Sequence, residues 1–337
     1  MKKRGKIRLS NNNKRILDVT ASPHIKNPET TSTIMLDVII ALIPAAAWGV
    51  YVFGKRALVI ILISVLSAVL FEGLYQHYKH IPLTIKDGSA VVTGLLLALC
   101  LPVSVPIWIP IVGSFFAIVV VKQLFGGIGK NIVNPAIAAK VFLLLICHKM
   151  MTFYTAPYTK LPLIKNVSKS VGVSPTPLSY LNEGKLPECS LFDAILGNVS
   201  GTIGEVSVVL LFVGGIYLLV RKTIKWYIPV SYISTVVLLS LMFPQVNSTF
   251  AFTQFEVFSG GLILGAIFMA TDYATSPVTK WGRIIYGIGC GVLTIIIRFC
   301  FKQVEAVPFA ILIMNFSSRY LDIYIRPSKI WLKKRTK

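Results

Sequence analysis

The chain has 337 residues, 55% of them hydrophobic and 14% charged, and 34 Lys and Arg against 13 Asp and Glu give a formal charge of +21. A soluble domain carries roughly 25% charged residues, and a disordered basic tail or nucleic-acid binder is poor in Leu, Ile, Val and Phe. A mean hydropathy of +0.73 excludes both and leaves a polytopic membrane protein whose positive charge sits at the membrane surface.

Residues 1–33 are polar and basic, with no short apolar core or cleavage site behind them, and read as a cytoplasmic arm. Ten apolar segments follow, each about long enough to span a bilayer, near 34–53, 57–76, 87–103, 106–125, 131–148, 203–220, 224–243, 256–272, 281–298 and 305–322. The third and the last three carry Gly, Pro or polar interruptions, which predicts breaks or tilts. Alternating the segments from an inside N-terminus puts 23 of the 34 basic residues inside and 8 outside, while Lys122, Lys140 and Arg298 fall within segments. That is the positive-inside pattern. It predicts an all-α fold of about ten transmembrane helices, multi-pass in a prokaryotic inner membrane, with both termini cytoplasmic. The halves are 34–148 and 203–322, joined by an extracytoplasmic loop at 149–202 and followed by a basic tail at 323–337.

Five spans per half is an odd number, so related halves have opposite orientations. A weak echo supports two inverted five-helix repeats: Gly94 and Pro106 are spaced as Gly265 and Pro277, and Pro135 and Pro308 follow with a shift of two. The five cysteines form no C-x-x-C pair and the four histidines are scattered, so no metal site is expected.

Three stretches stand out from the apolar background. In Gly126-Gly127-Ile128-Gly129-Lys130-Asn131-Ile132-Val133-Asn134-Pro135 the glycines let backbone approach a ligand, Asn131 and Asn134 add amides, and Pro135 can open a helix. A tight turn is the plainer reading, and the spacing is not that of a phosphate-binding Walker loop. In Met269-Ala270-Thr271-Asp272-Tyr273-Ala274-Thr275-Ser276-Pro277 an ionisable Asp272 sits near the hydrocarbon boundary beside Thr275 and Ser276, which could bond a flavin edge or Na⁺; helix capping is the alternative. The outer loop holds Val173-Ser174-Pro175-Thr176-Pro177-Leu178, a Pro-bounded turn. Glu72, and Glu205 one turn into the sixth span, are intramembrane carboxylates and so functional candidates.

Three blocks, G-G-I-G-K-N-I-V-N-P-A, L-G-N-V-S-G-T-I-G-E and M-A-T-D-Y-A-T-S-P-V-T-K-W-G-R, in this order, resemble the RnfD family, the D-type membrane component of the Rnf ion-translocating electron-transport complex. That family is related to NqrB, the B-type component of the Na⁺-pumping NADH:quinone oxidoreductase. The resemblance covers most of 34–327. It implies a urea-transporter-like inverted repeat and a membrane subunit that works with other Rnf-type subunits. The complex couples electron transfer between ferredoxin and NAD to Na⁺ or H⁺ translocation. It implies FMN joined through a phosphoester to Thr176 by a flavin transferase, in a loop where Val173, Ser174 and Pro175 replace the family's usual Ser, Gly and Ala. A second, non-covalent flavin such as riboflavin, or else an ion path, is expected at Gly126, Gly127, Asn131, Asn134, Asp272, Thr275 and Ser276. No nucleic-acid partner and no catalytic residue active in the isolated chain are expected. A small-solute permease or channel of inverted-repeat type, and a flavin-free structural subunit, are the alternatives.

Overall fold

The computed structural model describes residues 30–164, 167, 172–205 and 207–325. The basic arm before residue 30 and the tail from residue 326 lie outside them. Two long helices come first, α1 (Thr31–Phe53) and α2 (Lys55–Tyr78). Along α2, Leu58, Leu62, Leu66, Leu70 and Leu74 form an exposed stripe, whereas Arg56, Ser64, Glu72 and Gln76 are buried. The helix is therefore inside out relative to a soluble one: in lipid the four-residue apolar spacing faces the solvent, and polar groups face protein.

Next come α3 (Ser89–Leu99), α4 (Trp108–Phe115), which runs on as a π-helical stretch over Phe116–Gln123, and α5 (Pro135–Ile146). The outer loop carries the short helices α6 (His148–Met151), α7 (Pro177–Asn182) and α8 (Leu191–Leu196). The second half contains α9 (Val208–Val220), α10 (Tyr227–Met242), α11 (Thr249–Phe258), α12 (Leu262–Leu264) with a π stretch at Gly265–Met269, α13 (Lys280–Phe301) and α14 (Ala306–Tyr324). Helix α1 packs on α9, α2 on α3 and α4, and α13 on both α10 and α14. Among the described residues α1, α2 and α13 are each long and apolar enough to cross a bilayer alone; α11 and the 262–269 segment form a pair bent by 56°.

The structure corrects several expected spans. The third ends at Leu99, and residues 101–105 are irregular. The eighth is the bent pair, broken at Gly260 and Gly261, both at positive φ. Of the four segments with Gly, Pro or polar interruptions, the third and eighth are the broken ones, and the ninth and tenth are continuous helices. The sixth begins only at Val208, so Glu205 lies in the irregular segment before it and not a turn inside it.

Two of the irregular segments meet each other. Pro102 and Thr202 form an antiparallel bridge, with Ile203 N donating to Leu101 O at 3.0 Å and Gly204 N to Leu99 O at 2.7 Å. Buried arginines meet further carbonyls at the breaks. Arg56 donates to Val103 O and Val105 O, each at 2.8 Å, and to Pro162 O; Arg298 donates to Glu256 O at 2.7 Å and to Ser259 O at 3.3 Å. A Cβ on Gly49 of α1 would fall 2.6 Å from Ile203 O. Ala at a helix interior is ordinarily favoured over Gly by up to about 1 kcal/mol. Here Gly49→Ala is expected to destabilise instead, by about 1–3 kcal/mol through overpacking, read as a lower melting temperature of the detergent-solubilised protein.

Candidate functional site

A cleft holding about 770 Å³ of empty volume opens where the starts of α1, α3 and α5 meet the end of α9 and the Met269–Ala274 turn. Its apolar wall includes Met35, Val92, Leu96 and Phe268, and its polar groups include Asn131, Asn134 and Asp272. The two motif blocks, more than 130 residues apart in sequence, thus share one cavity.

Asn134 builds much of it. Its Oδ1 caps α5 by accepting from Ala136 N at 3.0 Å, with Pro135 at the first helical position, and its Nδ2 donates to Met269 O at 3.3 Å. One side chain therefore starts the helix and ties it to the second block. Asp272 Oδ1 accepts from Ala274 N at 3.3 Å and Oδ2 from Thr275 Oγ1 at 3.2 Å; the Ser276 N–H donates to the Asp272 carbonyl at 3.0 Å. Thr275 and Ser276 fix the turn from behind and do not line the cleft. Gly126 and Gly127 also lie off the lining. Their N–H groups donate to Gln123 O and Lys122 O, closing the π stretch at positive φ. Asn131 Oδ1 is buried, lines the cleft and has no hydrogen-bond partner among the described residues.

Behind the cleft wall Glu72 is fully paired. Lys122 Nζ donates to both carboxylate oxygens at 2.8 and 2.9 Å and to Ser89 Oγ at 2.6 Å, and Gln123 Nε2 adds a bond at 2.8 Å. Lys140 pairs with Glu305 at 2.9 Å and Arg298 with Glu256 at 2.9 Å. The basic residues that fall within spans in the sequence are thus each matched to a buried carboxylate. Topology alone does not assign these pairs; the available signal is an intramembrane charge of each sign with no aqueous side to go to.

The Thr176 loop lies away from the cleft. Thr176 caps α7, with Oγ1 accepting from Ser179 N at 3.3 Å, and is 6% exposed. Leu178 and Leu181 anchor it in a small apolar cluster with Ala194, Phe252 and Phe255, and Ser200 Oγ donates to Pro175 O at 2.6 Å. Among the described residues the hydroxyl donates no hydrogen bond. Nearby, the Ser190 hydroxyl caps α8 and holds the exposed Asp193 carboxyl below the usual carboxylate range.

Contacts at the helix ends sort into two faces. Ser32 bonds Lys86 O, Arg221 bonds Asp37, and Asp322 accepts from the Val278 and Thr279 N–H groups. On the other side Trp48 bonds Leu196 O, Tyr51 stacks edge-on to Tyr158, and Asn182 bonds Lys302 O.

An all-helical membrane protein with broken helices, buried ion pairs and a cleft at one face is the class so defined. The chain belongs to the NQR2, RnfD, RnfE family, which it matches over residues 18–331. It is 43% identical to the D-type component of the Na⁺-translocating ferredoxin:NAD⁺ oxidoreductase complex of Acetobacterium woodii, covering 92% of this chain and 94% of that one. It is 38% identical to the D-type component of the proton-translocating ferredoxin:NAD⁺ oxidoreductase complex of Clostridium ljungdahlii, covering 94% and 96%. The D-type component of the ion-translocating oxidoreductase complex of Stutzerimonas stutzeri is also 38% identical, covering 87% and 90%.

Removing one partner of a buried pair leaves an uncompensated charge and costs about 3–5 kcal/mol, whereas apolar replacement of both is far milder. Lys122→Met is therefore expected to lose most folded protein, and Lys122→Met with Glu72→Leu to recover much of it, as measured by monodisperse yield and melting in detergent.

Proposed function

We propose that the chain is the membrane subunit of an ion-translocating oxidoreductase complex, working beside other Rnf-type subunits to couple electron transfer between ferredoxin and NAD to Na⁺ or H⁺ movement. The observation that carries this is near-full-length similarity to components so named in both a Na⁺- and a proton-translocating form. Ten crossings and cytoplasmic termini are what the charge count supports, and a bacterial inner-membrane location goes with the Rnf-type relatives. An inverted repeat is supported by the left-handed glycines that open the two echo segments, Gly88 before α3 and Gly261 before α12.

Thr176 is the attachment point we assign to FMN, with a flavin transferase as a further partner. Its hydroxyl proton is not engaged in holding the fold among the described residues, so a phosphoester at Oγ1 breaks no donated hydrogen bond. A second flavin fits the cleft. The unpartnered Asn131 Oδ1 offers an acceptor to a ring N–H, Asp272 and Asn134 supply a polar edge, and Met35, Leu96 and Phe268 supply an apolar face. Gly126, Gly127, Thr275 and Ser276 shape the two turns that present those groups. When bound, a flavin supplies one- and two-electron transfer; the chain's part is to orient the ring and exclude water around it.

Co-expressed with its flavin transferase, the purified chain is expected to give a fluorescent band on a denaturing gel, absent in Thr176→Ala. A dark wild-type band would favour the flavin-free structural reading. Asn131→Leu is expected to abolish the flavin released from the cleft on denaturation while leaving the covalent band unchanged; loss of neither would remove the second flavin from the cleft.

A further inference from the structure

Away from the cleft, a smaller cavity lies where the broken segments converge, lined by Cys100, Lys140, Thr202, Glu205, Gly261 and Glu305 among others. The eleven residues of α3 rise about 16 Å from the inner face to Cys100, roughly half of a 30 Å hydrocarbon core. The cavity is therefore near mid-membrane.

Its charges do not balance. Lys140 Nζ is bonded to the Cys100 carbonyl and to Glu305 Oε1, which also accepts from Tyr154 OH at 2.6 Å. That pair is neutral, and Glu305 is 6% exposed with no donor on Oε2 among the described residues. The nearby Arg298 is already matched by Glu256. Glu205 is left over. Its carboxylate accepts from the Thr202 N–H at 3.2 Å, and among the described residues no cation is bonded to it. Its carboxylate also has space made for it: a Cβ on Gly201 would lie 2.7 Å from Oε2, and one on Gly261 3.0 Å from Oε1. With both carboxylates ionised the cavity carries one net negative charge, which low-dielectric surroundings do not tolerate unneutralised.

We propose that Glu205 holds one translocated positive charge, Na⁺ or H⁺, midway across the membrane. The Lys140–Glu305–Tyr154 set cancels its own charge and fixes the wall opposite. Na⁺ would take oxygens from Glu205, Glu305 Oε2 and Thr202; H⁺ would reside on Glu205 itself. The proposal rests on the ion-translocating reading above.

The test uses the whole complex in sealed vesicles, following NADH formation from reduced ferredoxin together with uptake of ²²Na⁺ and of protons. Wild-type complex without coupled uptake overturns the functional reading and this proposal together. Given wild-type coupling, Glu205→Gln is expected to lower ions moved per NADH by about fivefold or more, Glu205→Asp to retain more of it, and the exposed-site control Glu183→Gln to change nothing. Unchanged coupling in Glu205→Gln overturns the proposal alone. Because that variant could assemble poorly, the wild-type complex is also treated with dicyclohexylcarbodiimide and its peptides are analysed by mass. Modification of Glu205 is expected. Protection by Na⁺ identifies Na⁺ as the charge, and loss of labelling at alkaline pH without a Na⁺ effect identifies H⁺. No modification at Glu205, or modification insensitive to both, overturns the proposal.

Discussion

Inside hydrocarbon every backbone N–H and C=O needs a partner from the protein, because an unmet group costs several kcal/mol and no water is at hand. This chain interrupts helices at depth, after Leu99, before Val208 and at Gly260–Gly261, and so creates such groups in number. The rest of the architecture answers them. The 101–105 and 201–205 segments bond to one another, Arg56 and Arg298 cap carbonyl ends, and Lys140 reaches the Cys100 carbonyl. Arginine suits the task because its fork serves several carbonyls at once and its charge is permanent. Such termini, once present, converge on interior space that an uninterrupted helix would fill.

The buried cations then require carboxylates, and Glu72, Glu256 and Glu305 supply them. Each pair joins elements distant in sequence: α2 to the π stretch after α4, α13 to α11, and α5 to the start of α14. The two π stretches fall beside the cleft, at Lys122 and at Phe268, where an extra residue per turn changes which side chain faces inward. Polar groups are thereby separated into a cleft, a cavity between the broken segments and the loop that carries Thr176.

Much of this was legible in the sequence. Apolar runs predicted where helices lie, and Asn134-Pro135 was readable as a helix start. Less legible was where a run stops being helix: residues 101–105, Leu-Pro-Val-Ser-Val, are nearly as apolar as their neighbours, and hydropathy does not distinguish a helix from a break whose carbonyls are capped by a distant arginine. The glycines at 126 and 127 suggested open backbone, whereas the structure uses their N–H groups internally. The ion pairs were hidden because matching Lys140 to Glu305 needs the tertiary fold, although each charge was conspicuous alone.

The bridge between Pro102 and Thr202 has a mechanical side. A carrier that rocks one half against the other needs a seam that can slide. Here the seam is backbone hydrogen bonding, reinforced by close approach at Gly49 and Gly204, where a Cβ would already collide with Ile203 O or Leu99 Cβ. Sliding it would strand carbonyls and amides in a medium without substitutes for their partners. The seam makes the two halves a fixed frame and not two parts that slide past one another.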